Sequence, residues 1–132
     1  MRYLLDTNIF IAGMKGVEQI RNKLETTPLS ELILSPVVLG ELGHGVEKSL
    51  HREKNAARLA RMVDGLQLVA LDAGTSRHYG IIRATLERQG MPIGANDYWI
   101  AAQAVALRAV LVTDNLREFS RVPGLMVENW LA

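Results

Sequence analysis

Residues 2–11 read RYLLDTNIFI. The apolar run Tyr3-Leu4-Leu5 ends on Asp6, and apolar side chains resume at once with Ile9 and Phe10. A short apolar run of this kind predicts a buried strand over Arg2–Leu5, and Asp6-Thr7-Asn8 predicts a turn that opens a helix. Asp6 therefore stands at the carboxyl end of a strand, where open parallel sheets bind their ligands. An aspartate there is also a good helix N-cap, so one carboxylate alone does not define a site.

Outward from this stretch the same alternation repeats. Further strands are expected at Glu31–Leu34, Leu66–Leu71, Val110–Val112 and Met126–Val127. Between them, Val17, Ile20 and Leu24 carry helical spacing over Val17–Thr26, and Ser35-Pro36 starts a helix through VVLGELGHGVEKS. Ala56, Leu59, Ala60 and Val63 mark a helix that Gly65 ends; Tyr79, Ile82 and Leu86 mark one that Gly90 ends. Residues 96–108 are apolar nearly all round, which predicts a central, buried helix. Strands alternating with helices imply one α/β domain over 1–132, a mainly parallel central sheet flanked by helices.

The 132 residues are enough for a real core, and an apolar fraction of 48% argues against disorder. Cysteine is absent, which excludes disulfides, thiolate chemistry and cysteine-based zinc sites and fits a reducing cytoplasm. A net charge of +1 and a pI near 8.1 carry no global nucleic-acid signature. Asp6 interrupts the only candidate signal-peptide core, and no stretch approaches the roughly 20 apolar residues of a membrane span. A soluble protein is expected.

Three more acidic residues occupy comparable places. Glu41 falls on the flank of the apolar stripe of its helix, between Val37 and Val38. Gly40 and Gly43 beside it are poor helix residues, which makes sense if something approaches the backbone there. Asp97 opens the most apolar helix, DYWIAAQAVAL, and Asp114 follows the strand VLV. Each has an ordinary explanation: a solvated carboxylate, a dipole-complementing first-turn acid, a cap. Together they place two carboxylates at strand ends and two on helices over the same edge. Ionised carboxylates gather comfortably only around a cation, and an oxygen-only donor set suits Mg²⁺ or Mn²⁺ rather than zinc.

LLDTNIFI, SPVVLGELGHGVEKS, RQGMPIGANDYWIAAQA and LVTDNLREF, in that order, resemble the PIN-domain ribonucleases. The likeness is greatest to the VapC toxins of bacterial toxin–antitoxin pairs, in particular the enteric group, and extends over almost the whole chain. The resemblance implies a PIN-like fold, Asp6 and Asp97 as the main metal ligands, and Glu41 as the family's acid on the third motif helix. The family often has an aspartate two places after the threonine, where this chain has Asn115, with Asp114 one place early. The implied activity is Mg²⁺-dependent hydrolysis of RNA phosphodiester bonds by in-line attack of water. The implied RNA is tRNA, with the anticodon arm of initiator tRNA favoured; the implied partners are a VapB-type antitoxin and a second copy of the chain.

Thr7, Asn8, Ser35, Thr113 and Asn115 are candidates for orienting carboxylates or water. Their turn and cap chemistry explains them equally well. Lys48, Arg52, Lys54, Arg58 and Arg61 stand against one acid, Glu53, and form a candidate phosphate track that Arg83 and Arg88 extend. With few aromatics for stacking, recognition by RNA shape and backbone is expected. His44, His51 and His78 share no metal-ligand spacing and read as surface or packing residues. A PIN-like module that binds RNA or protein without cutting is the alternative, favoured by Asn115. A phosphorylated receiver domain fits less well, because no lysine follows Lys54.

Overall fold

In the computed structural model, which describes residues 1–132, five short strands form one sheet. They are β1 (Tyr3–Leu5), β2 (Leu32–Leu34), β3 (Gln67–Leu68), β4 (Val110–Val112) and β5 (Met126–Glu128). Their order is β3-β2-β1-β4-β5, and every pairing is parallel. Leu4, Leu5, Ile33, Leu111 and Val112 are buried, as expected of parallel strands covered by helices on both faces.

Seven helices make the connections: α1 (Thr7–Met14), α2 (Glu18–Thr26), α3 (Pro36–Glu47), α4 (Arg52–Val63), α5 (Ala73–Arg88), α6 (Ala95–Leu107) and α7 (Leu116–Phe119). Ser35 caps α3 by accepting from the Val37 N–H, and Pro36 follows at the first helical position. Gly65 and Gly90, just past α4 and α5, have φ of 80° and 68°, a conformation that favours glycine. The all-round apolar helix is central as expected: Ile100, Ala101, Ala102 and Ala104 of α6 are fully buried.

Three predicted strands are shorter than expected, the first by Arg2 alone, whose carbonyl still accepts from the Val110 N–H at 2.9 Å. The second loses Glu31 to a single 3-10 turn over Leu29–Glu31, set up by Pro28. The third, expected over Leu66–Leu71, is only Gln67–Leu68, because it is the sheet's edge and both residues are exposed. Its pairing runs one residue further, with the Val69 N–H on Leu34 O at 3.1 Å. The Val69 carbonyl is then taken by the buried Gln103 side chain, whose Nε2 donates at 2.8 Å. Asp72 next starts α5 by accepting from the Thr75 N–H.

After β1 the chain builds the sheet outward through β2 and β3, then returns to β1's other side with β4 and β5. The order reverses between β1 and β4, and such a switch point leaves a crevice at the carboxyl ends of the two strands. The register Leu5↔Val112 puts Asp6 beside Thr113 at that crevice.

Leu4 is wholly buried in the middle strand. Leu4→Ala should lower unfolding stability by about 2–5 kcal/mol, read from the midpoint of a urea transition.

Candidate active site

Asp6 follows β1 and is buried, with its side chain fixed from two sides. The Thr7 N–H donates to Oδ1 and the Thr113 hydroxyl donates to Oδ2, each at 2.8 Å. Asp6 is thus the N-cap of α1 and a member of an acidic cluster at once. Burial pushes its pKa up, the two hydrogen bonds oppose this, and repulsion from Glu41 and Asp114 adds to the rise.

Glu41 reaches the same crevice from α3. The Thr7 hydroxyl donates to its Oε1 at 2.6 Å, and Asn96 Nδ2 to its Oε2 at 3.5 Å. Asp97, in the first turn of α6, lies back against Gly94, where a Cβ would sit 3.3 Å from Oδ2. Burial, then the charge of Asp6, then a hydrogen bond and charge from Glu118, and finally Glu41 push its carboxyl up to about 7.

Glu118 is the residue that sequence reasoning misses. It stands on α7, and its Oε2 accepts from Asn115 Nδ2 at 3.1 Å while its N–H donates to Asn115 Oδ1 at 3.5 Å. This reciprocal Asn-x-x-Glu pair is a variant of the capping box, and that pattern was the only signal available. It aims a glutamate at Asp97 and makes Asn115 a positioning residue. Asp114, by contrast, is exposed at the rim, where its Oδ1 accepts from Asn8 Nδ2 at 3.3 Å. Thr113 is buried and also accepts from the Asn115 N–H at 3.0 Å, so it joins the β4 turn to Asp6. Ser35 makes no hydrogen bond to any of these carboxylates; it caps α3.

The cluster has no basic partner in the chain. The three ion pairs lie elsewhere, between the N-terminal amine and Glu31, Arg52 and Glu47, and Arg83 and Glu87. Bare carboxylates repel one another, and no three of them converge tightly enough to form a ready-made metal cage. The donor set nevertheless fits a hard divalent cation: it is all oxygen, it carries uncompensated charge, and Mg²⁺ needs only one or two carboxylates beside its waters.

The basic stretch divides. Arg58 and Arg61 face a groove against α1, Lys54 lies on the same stripe of α4, and Lys48 and Arg52 are exposed away from it. Arg83 does not extend the track. Its guanidinium packs over Tyr79 and Tyr98 and hydrogen-bonds the Tyr79 hydroxyl. Tyr79 in turn stacks on Trp99 at 4.0 Å. The histidines join no metal-binding group.

Residues 3–125 match the model of the PIN domain. The chain belongs to the PIN-domain family. It is 40% identical over 132 residues to ribonuclease VapC2 of Rickettsia felis, spanning 98% of each protein. It is 39% identical over 131 residues to the tRNA(fMet)-specific endonuclease VapC of Salmonella typhimurium, again with 98% of each covered. Among solved structures, this PIN domain superposes on the Rickettsia felis VapBC2 complex bound to a promoter DNA fragment. The TM-score is 0.93 at 38% identity, covering 98% of this chain and 99% of that one. No helix of this PIN domain is long and apolar enough to cross a membrane.

The raised pKa of Asp97 sets a sign for stability against pH. Its carboxyl holds a proton more tightly when folded (about 7) than at the ordinary value of 3.8. Its contribution is therefore complete below about pH 4 and lost as pH rises through about 7. Thermal melts in EDTA should show this as a difference between proteins: Asp97→Asn should gain Tm over wild type above pH 7, with the gap closing towards pH 4.

Proposed function

We propose that this PIN domain is a divalent-cation-dependent endoribonuclease, the toxin of a VapBC-type toxin–antitoxin pair. One observation carries the reading: Asp6, Glu41, Asp97 and Glu118 line one crevice with no basic partner, where burial and then the neighbouring acids push the Asp97 carboxyl up to about 7. The names of the relatives support RNA as substrate, and that of the Salmonella typhimurium protein supports initiator tRNA.

In this reading Asp6 and Asp97 hold Mg²⁺, which Mn²⁺ can replace, while Glu41 and Glu118 complete the negative wall. A cation held there would supply charge stabilisation for an in-line displacement at phosphorus. Thr113 and Thr7 keep the Asp6 carboxylate oriented through both of its oxygens. Thr7 and Asn96 do the same for Glu41, and Asn115 for Glu118. Asp114, at the rim, acts through water or through Asn8. The asparagine that favours a non-cleaving module thus has a positioning role beside a glutamate that supplies the fourth charge.

The solved VapBC complexes support a VapB-type antitoxin as partner. The acidic crevice offers a route to inhibition, because an antitoxin guanidinium can take the cation's place. The family's habit of pairing supports a homodimer.

Cleavage of initiator tRNA should stop in EDTA and return with excess Mg²⁺; cutting that survives EDTA would overturn the reading. In single-turnover assays Asp6→Asn, Asp97→Asn and Glu118→Gln should lose at least about a hundredfold. Thr113→Val should lose about ten- to a hundredfold by freeing the Asp6 carboxylate. Asp114→Asn should lose less than about tenfold; equality with Asp6→Asn would make Asp114 a direct ligand.

A further inference from the structure

A cleft of about 350 Å³ opens beside the acidic crevice, between α1, α3 and α4, and Glu41 forms part of its wall. Its floor is Ile11, Met14, Leu42 and Val46, and Lys15, Asn55 and Arg58 stand around it. A second hollow of about 280 Å³ shares Met14 and Arg58 and carries the groove on to Arg61 and Met62. The groove thus runs from the acidic centre along an apolar floor lined by cations. We propose that it is a nucleotide subsite for the RNA strand, taking one unstacked base beside the scissile phosphate. The proposal rests on the nuclease reading of the neighbouring crevice.

Four features favour a base. The volume lies at the low end of the about 300–1,000 Å³ of small-ligand clefts, which suits a single nucleotide. Arg58 is held in place by donating Nη2 to Met14 O at 2.7 Å, and it makes no ion pair. A fixed guanidinium plane is one of the surfaces on which RNA bases stack, so the scarcity of aromatics is no obstacle. Asn55 gives its Nδ2 to Ser49 at 3.0 Å, leaving Oδ1 to accept from a base edge.

Gly45 is the fourth. It lines the cleft inside α3, and a Cβ there would meet nothing of the protein within 4 Å. Glycine is a poor helix residue, and no internal packing asks for it here. The space it leaves belongs to the cleft. Charge complementarity points to a polyanion: Lys15, Lys54, Arg58 and Arg61 border the groove or its flank, and none has an acidic partner in the chain.

The test fills the cleft with Gly45→Leu, a change that favours the helix and so preserves the fold. The probes are an initiator-tRNA anticodon stem-loop and variants with one abasic nucleotide each. KM and kcat are read in Mg²⁺, and binding by fluorescence anisotropy in Ca²⁺. In wild type, one abasic position beside the scissile bond should raise KM and Kd about tenfold with kcat little changed. In Gly45→Leu the intact RNA should bind about tenfold more weakly, and that abasic position should lose its effect. Wild-type affinity in Gly45→Leu, or unaltered abasic sensitivity, would overturn the subsite. So would loss of antitoxin binding in Gly45→Leu with RNA affinity unchanged, which assigns the groove to the protein partner. If wild type cleaves no RNA, the nuclease reading fails, and the anisotropy measurements still decide the subsite.

Discussion

A hydroxyl on one strand end holds a carboxylate on the next: Thr113, after β4, donates to Asp6, after β1, in a buried contact of 2.8 Å. The parallel register Leu5↔Val112 makes that contact possible, and the reversal of strand order between β1 and β4 opens the crevice above it. The other acidic groups are arranged around this point. Glu41 is tied to it through Thr7, the residue after Asp6, and Glu118 through the turn that begins at Thr113. The sheet edge gathers like charges in a partly buried crevice, and burial first, then the charges of Asp6, Glu118 and Glu41, hold the Asp97 carboxyl above its ordinary range.

Much of this was legible in the sequence. Asp6 and Asp97 announce themselves because each interrupts or opens an apolar run. Their ordinary explanations also hold, since Asp6 caps α1 and Asp97 complements the dipole in the first turn of α6. Glu118 stayed hidden because it lies among polar neighbours on a four-residue helix and forms a capping pair with Asn115. No periodicity marks such a residue; only the folded turn shows that it faces Asp97. Asp114 drew attention by following a strand, yet the turn directs it outwards to Asn8. The apolar stretch after Gly65 read as a full strand because a run of letters does not reveal that β3 lies at the sheet's edge.

The basic stretch teaches a related lesson about faces. Read linearly, Lys48 to Arg61 is one patch. Wound into α4, it places Lys54, Arg58 and Arg61 on one stripe and turns Arg52 towards Glu47. The cation that matters next to the acidic centre includes Lys15, which comes from the end of α1 and which no local window would join to the others. The cations of the groove and the carboxylates of the crevice thus lie side by side, with Glu41 lining the groove as well as the crevice.

The double use of Asp6 bears on how such a gene can decay. Asparagine caps a helix about as well as aspartate does. Its Oδ1 can accept from the Thr7 N–H, and the Thr113 hydroxyl can turn to accept from its amide. In the reading proposed above, one codon change would therefore remove a cation-holding charge while leaving the helix start, and with it the fold, in place. The charge and the cap reside in the same side chain but in different chemistry, so the first can be lost while the second is kept.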